Sequence, residues 1–486
     1  MKTEKSLSQK VIIGGAWIFA LRIAERIMGF LKIIILARLL APKDFGLFGI
    51  ALLTLSTLET FSNTGFQNAL IQKKDSIRDY LNTVWTISTL RGIVLYLIVF
   101  FIAPYVAIFF NNPESGIIIR IVGLTIIFRG VLNVGTIYFQ KELEFNKQFV
   151  LQFISSSIEF IIAITCAILL KSFWALVIGQ LCGSLTFLIT SYIIHPYRPR
   201  FKLELEKTKE LFKYGKWVFG SSILVFLITH GDDAFVGRFL GVTMLGFYQM
   251  AYRISNIPTT EFTSMLSSVM FPAYSKIQSD LIKLNKVFLQ VLEFTTLFAF
   301  FISIIILTFS YDFTVLFLKE KWLPIVPALK ILCIFGLIRS ISATTGPVLM
   351  AIGKPNIILF INSIKLMLII ILIYPLTKNF GIEGTSISIT LPMIIEQLFL
   401  WKIVSRHISQ FSIRKVINKY IAPAVGSLIT YMGVHIIKSA FRLDNTYTIY
   451  YLLIFIFVGT VIYLSTVVLI RLIQGLSIIP KLTESK

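Results

Sequence analysis

The chain has 486 residues, 56% of them hydrophobic and 14% charged, with a formal charge of +22. Soluble domains carry roughly 25% charged residues, and no polar block here is long enough to form one, which excludes a soluble enzyme or a nucleic-acid-binding module. Apolar runs such as Ile93 to Val106, Ile161 to Leu170 and Leu366 to Tyr374 recur from end to end, and a bilayer-spanning helix needs about 20 mostly apolar residues.

The first predicted helix, 11–40, holds Arg22, Glu25, Arg26 and Lys32. It lacks a small-residue cleavage site after a short apolar core, so it reads as a retained helix and not a signal peptide. At 100° per residue these four charges fall within an arc of roughly 120°, and Gly15 and Gly29 share that face. Arg22 and Arg26, at i and i+4, can together engage a diphosphate, because each guanidinium is a planar fork of donors. Glu25 partly neutralises them. The alternative is an intrahelical ion pair that eases insertion.

Helices at 44–71, 82–110, 115–140, 147–170 and 172–195 complete a first lobe over residues 1–197. The longest polar connection runs from His195 to Lys216, and its residues 198–216 form a cytoplasmic linker. A second lobe over 217–408 carries helices at 212–240, 243–272, 286–310, 324–352, 355–377 and 380–404. In it His230 stands beside Asp232, either as a proton relay or as a hydrogen-bonded packing histidine. A last pair, 415–438 and 446–474, occupies residues 409–486. Its entry, Ile413, Val416, Ile417, Tyr420 and Ile421, has the spacing of an interfacial helix. The expected fold is an all-α polytopic membrane protein of about 14 transmembrane helices.

With the N-terminus in the cytoplasm, inside segments hold about 27 basic residues and outside loops about 7, so both termini are expected inside. The largest inside groups are Arg198 to Lys216 and Lys402 to Lys419. Most of the positive charge is thus a collar facing anionic headgroups. The rest lies within spans, where a charge at mid-bilayer costs about 2.5–3.5 kcal/mol on the lenient scale. A hydrated interior is implied. Arg91, Arg129, Arg253 and Arg339 join Arg22 and Arg26 as candidates for a cationic substrate cavity, with Glu25, Lys32, Asp232 and Asp233 as candidates for ion coupling or a gate.

Shifted by 200 residues, the chain overlays itself without gaps: Gly15, Trp17 and Phe19 fall on Gly215, Trp217 and Phe219, Arg38 on Arg238, and Gly46, Phe48 and Ala51 on Gly246, Tyr248 and Ala251. An even number of helices separates the copies, so the repeat is parallel, about a pseudo-two-fold axis along the membrane normal. The substrate site is expected between the lobes. The same shift places Lys32 on Asp232, two opposite charges expected to approach at the outer gate.

No phosphate-loop motif, His-Glu-x-x-His motif or metal-spaced cysteine pair occurs, and Cys166, Cys182 and Cys333 lie in apolar segments as small buried hydrophobes. No cofactor or metal is expected. Asp233-Ala-Phe-Val-Gly-Arg-Phe-Leu-Gly241, Leu245-Gly-Phe-Tyr248, Ala251-Tyr-Arg253, Pro258 and Phe271-Pro272 resemble the polysaccharide transporter (Wzx-type) flippases. So do Arg38-Leu-Leu-Ala-Pro-Lys-Asp-Phe-Gly46, His195-Pro-Tyr-Arg-Pro-Arg200 and Ala351-Ile-Gly-Lys-Pro355. The resemblance implies an inner-membrane flippase for undecaprenyl-diphosphate-linked oligosaccharides, not an enzyme, with Na+ or H+ as candidate coupling ions and other polysaccharide-assembly membrane proteins as candidate partners. A cation-coupled multidrug extruder of the same superfamily and a membrane polysaccharide polymerase stand as alternatives.

Overall fold

A computed structural model describes residues 7–62, 66, 70, 77–204, 223–257, 264–408, 411–440 and 448–475. The motif Gly215, Trp217 and Phe219, Pro258, and most of the linker lie outside the described residues. Those described are helical, with no strand among them. The helices are α1 Leu7–Leu39, α2 Pro42–Phe61, α3 Arg78–Phe109, α4 Glu114–Gly130, α5 Ile137–Lys141, α6 Phe145–Leu170 and α7 Trp174–Ile194. They continue as α8 over 223–239, then α9 Val242–Ser255, α10 Ser264–Lys276, α11 Leu281–Thr308, α12 Ser310–Phe313, α13 Ile325–Ala351, α14 Pro355–His407, α15 Ile413–Ala440 and α16 Ile449–Ile473.

Nine of these are long and apolar enough to cross a membrane, and α4 with the short helical run Val134–Lys141 meets the same criteria as a pair bent by 67°. The bend differs from the straight helix predicted over 115–140. Asn133 makes it, its side chain accepting from Gly135 N and donating to the carbonyls of His195 and Tyr197. At 53 residues, α14 would run about 80 Å if straight. It breaks at Gly381, where φ is +58° and ψ −137°, a conformation that glycine adopts without steric cost, and so holds two passes, as the predicted pair 355–377 and 380–404 requires. The connection between α11 and α13 is itself structured in α12 and two short turns, and it buries Trp322 completely.

Helix ends follow local chemistry. Pro42 opens α2 beside a capping contact from Ala41 N to Asp44 Oδ2, Asp280 caps α11 through Ile282 N and Lys283 N, and Lys171 ends α6 in the left-handed region. Large apolar side chains such as Phe101, Ile108 and Phe457 point outward, as lipid-facing surface requires.

The chain forms two compact units, Met1–Gly246 and Phe247–Lys486. Within the first, the repeat is visible as a reciprocal contact. A Cβ on Gly46 would overlap the Val242 carbonyl, and a Cβ on Gly246 would overlap the Pro42 carbonyl. Gly46 and Gly246 are related by the 200-residue shift, and so are Pro42 and Val242. Each glycine therefore meets the backbone of the other's copy.

Within the second unit, buried ion pairs hold the C-terminal helices. Glu293 of α11 accepts from Arg471 of α16 through one oxygen and from Lys419 of α15 through the other. Lys438 of α15 reaches Asp312 Oδ2 at 2.7 Å. Tyr463 donates to the Leu297 carbonyl at 2.8 Å. Lys419, read from sequence as part of the cytoplasmic collar, instead neutralises a buried carboxylate.

Candidate functional site

A cavity of about 650 Å³ opens within the first unit. Six helices contribute polar side chains to it, and two of them do so at helical spacing. On α6, Gln152, Ser155, Ser156 and Glu159 follow i, i+3, i+4, i+7, and on α7, Gln180, Gly183, Ser184 and Phe187 do the same. That spacing lays each set along one face, so an apolar membrane helix turns a polar stripe inward. Glu25 of α1, Glu59 of α2, Ser88 and Arg91 of α3, and Arg129 of α4 complete the polar lining.

The charges in it are arranged in pairs. Arg129 Nη1 donates to both Glu59 oxygens, at 2.8 and 3.1 Å. Arg91 Nη2 donates to the Glu59 carbonyl at 3.2 Å and to Ser62 Oγ at 2.7 Å. Lys32 of α1 pairs with Glu159. Arg91 Nε is buried with no hydrogen-bond partner. Among the described residues, two positive side chains, Arg91 and Arg129, and three negative ones, Glu25, Glu59 and Glu159, line the cavity, and Lys32 pairs with the last of these. Its described charges are of both signs, where sequence alone led to a cationic cavity. The reason is that Glu59 of α2 and Glu159 of α6 line the same cavity as the arginines of α3 and α4.

Arg22 and Arg26 are exposed on α1, flanking the half-buried Glu25. In the first unit as well, Asp232 of α8 is buried at 3% exposure, and Asp233 lies 3.7 Å from His230. Lys32, expected to meet Asp232, makes its ion pair with Glu159 instead, which α6 brings beside α1. In the second unit Arg253 is exposed, and Arg339 donates to Tyr252 Oη at 3.0 Å and Asn256 Oδ1 at 3.1 Å. The second unit also buries Lys365 against Glu396 of α14 at 2.8 Å. No group of three or more His, Cys, Asp or Glu among the described residues has the arrangement of a metal site.

The end of α7 is pinned where the linker begins. Tyr197 Oη and Arg200 N both donate to Asn82 Oδ1, at 2.6 and 2.8 Å, and Tyr197 N donates to His195 Nδ1 at 3.2 Å. Burial and nearby Lys147 hold the His195 pKa below its ordinary 6.5, and Glu144 opposes them.

Comparison with known proteins agrees with this architecture. Residues 35–327 match the family described as polysaccharide biosynthesis protein. The lipopolysaccharide biosynthesis protein WzxC of Escherichia coli K12 is 28% identical, with 87% of each chain covered. The teichuronic acid biosynthesis protein TuaB of Bacillus subtilis is 27% identical over 63% of each chain. Among solved structures, the lipid II flippase MurJ in an inward closed conformation superposes with a TM-score of 0.76 at 18% identity, covering 96% of this chain and all of that one.

Proposed function

The chain belongs to the polysaccharide biosynthesis protein family, and on that premise we propose that it is a flippase for undecaprenyl-diphosphate-linked oligosaccharides. It carries repeat units of a surface polysaccharide from the cytoplasmic to the outer leaflet of the bacterial inner membrane by alternating access, with both termini in the cytoplasm. The observation that carries this reading is the polar cavity in the first unit. A span lined by glutamines, serines, arginines and glutamates has no use as an anchor, because in-membrane polar groups are costly and mark a substrate path.

Arg22 and Arg26 engage the diphosphate, with Arg91, Arg129, Arg253 and Arg339 along the head-group path. Na+ or H+ couples transport through Glu25, Asp232 or Asp233, and other polysaccharide-assembly membrane proteins receive the product. The test is a proteoliposome assay with a fluorescent undecaprenyl-diphosphate oligosaccharide, read by reduction of the outward-facing label. The chain is expected to speed exchange between leaflets and to leave the lipid chemically unchanged. Arg22→Ala with Arg26→Ala is expected to abolish exchange at normal protein level, and Lys at both positions to restore it in part, since a point charge makes no bidentate contact. Exchange no faster than in protein-free liposomes refutes the flippase. A covalently altered lipid supports the polymerase.

A further inference from the structure

We propose that the groove at the end of the α3–α4 hairpin is a binding site for an anionic phospholipid of the surrounding bilayer, with Arg120 on the lipid phosphate. The inference needs only that the chain spans a membrane, so it stands or falls apart from the flippase reading.

The groove holds about 540 Å³ and lies within the first unit. Its walls are apolar, with Pro104, Ala107 and Ile108 from α3 and Ile117 from α4. Ile108 and Ile117 are 70% and 57% exposed, so the groove opens on surface that lipid covers. Its polar groups are Arg120 and the two asparagines of the connecting turn, Asn111 and Asn112.

Charge is the main argument. Arg120 stands six residues into α4, about 9 Å from the helix start, where a cation facing lipid is costly. Its Nε donates to the Phe100 carbonyl at 3.1 Å, and its guanidinium carbon lies 4.4 Å from the centre of the Phe100 ring. These contacts fix the plane of the guanidinium. They leave Nη1 and Nη2 without a partner among the described residues, and neither contact brings a negative charge. Glu114, the one acid of α4, is taken by Lys43 at 3.0 Å. Arg129 of the same helix has Glu59, whereas Arg120 has no carboxylate among the described residues.

A phosphodiester supplies the missing anion, and two of its oxygens match two guanidinium donors. Asn112 Oδ1 accepts from Ser115 N at 3.2 Å, which orients that side chain and leaves its Nδ2 to donate to head-group oxygens. The apolar walls take the upper part of an acyl chain. A free phosphate ion would leave them uncovered, so the occupant is an amphiphile. A volume of about 540 Å³ falls within the range of small-ligand pockets, roughly 300–1,000 Å³, and suits a head group with the first carbons of one chain.

The test places the full chain in phosphatidylcholine nanodiscs doped with phosphatidylglycerol that carries a photoreactive group near the head of one acyl chain. After irradiation, labelled peptides are quantified by mass spectrometry. Labelling within residues 104–117 is expected to exceed that from equally doped photoreactive phosphatidylcholine about ten-fold, the worth of one charge-assisted hydrogen bond. Arg120→Gln is expected to bring phosphatidylglycerol down to the phosphatidylcholine level there, with labelling elsewhere on the chain unchanged. Arg120→Lys is expected to keep part of the preference, since a point charge makes no bidentate contact. Ile117→Trp, which fills the groove and keeps the charge, is expected to lose the labelling, and it decides the matter if Arg120→Gln does not fold. Equal labelling by the two lipids in the wild type, or undiminished labelling in either Arg120→Gln or Ile117→Trp, overturns the site. Displacement of the label by inorganic phosphate, or by undecaprenyl diphosphate better than by unlabelled phosphatidylglycerol, overturns the phospholipid as its occupant.

Discussion

The Glu293 triad makes a quantitative demand on the C-terminal helices. Glu293 and Arg471 have side-chain exposures of 6% and 4%, and Lys419 of 21%. One carboxylate thus holds two cations in a largely buried site, for a net charge of +1. Replacing Glu293 by Gln removes the carboxylate that both cations contact and turns one acceptor oxygen into a donor facing them. Breaking a buried pair this way costs about 3–5 kcal/mol. At roughly 2–4 °C per kcal/mol for a unit of this size, the melting midpoint should fall by about 6–20 °C. Arg471→Leu leaves Glu293 balanced by Lys419, so its cost should be clearly smaller. Replacing all three by apolar residues of similar volume, Glu293→Leu, Lys419→Met and Arg471→Met, should recover most of the loss, because no charge remains to be desolvated. Thermal unfolding of the purified chain in detergent, followed by monomer fluorescence in size exclusion, gives all three midpoints. A Glu293→Gln chain that melts with the wild type, or a triple variant that melts lower than Glu293→Gln, refutes the account.

Two further outcomes follow from the first unit. Gly46→Val drives a branched side chain into the Val242 backbone carbonyl, where nothing flexible can give way, and overpacking of this kind costs about 1–3 kcal/mol or more. The variant should lose monodisperse protein, and a wild-type yield and melting midpoint would contradict the contact. Because His195 takes up a proton less readily in the folded chain than in the unfolded one, stability is full above the ordinary pKa of 6.5 and falls as the pH drops below it. Protonation also removes the Nδ1 acceptor from Tyr197 N. The midpoint should fall between about pH 7.5 and 5 more in the wild type than in His195→Phe, and an equal fall in both would assign the effect to other groups.

The fold was legible because lipid solvent enforces it. A membrane span must satisfy its backbone internally and show apolar side chains to lipid, so helices announce themselves by composition. The predicted 324–352 and the observed Ile325–Ala351 nearly coincide. What composition cannot show is geometry within a span. The 67° bend after α4 depends on Asn133 finding the carbonyls of His195 and Tyr197 some 60 residues away in sequence. The 200-residue repeat gave Gly46 and Gly246 as equivalents. Only the structure shows that they are equivalent because each leaves room for the other copy's backbone.

The site was half legible, and the missing half is instructive. In-span arginines were conspicuous, and Arg91 and Arg129 do line the cavity. Reading them as a cationic patch treated each charge as free, whereas low-dielectric surroundings favour pairing. Glu59, Glu159, Glu293 and Glu396 each have a basic partner. The overlooked signal was uncharged. Gln152, Ser155 and Ser156 on α6, with Gln180 and Ser184 on α7, form polar stripes on largely apolar helices. A stripe at that spacing costs insertion energy at every member, and it marks the wall of a wet cavity more reliably than a lone arginine does, since a lone arginine can snorkel to the interface or find a carboxylate. Where buried charges are paired, these neutral hydrogen-bonding groups are what remain to discriminate one ligand from another.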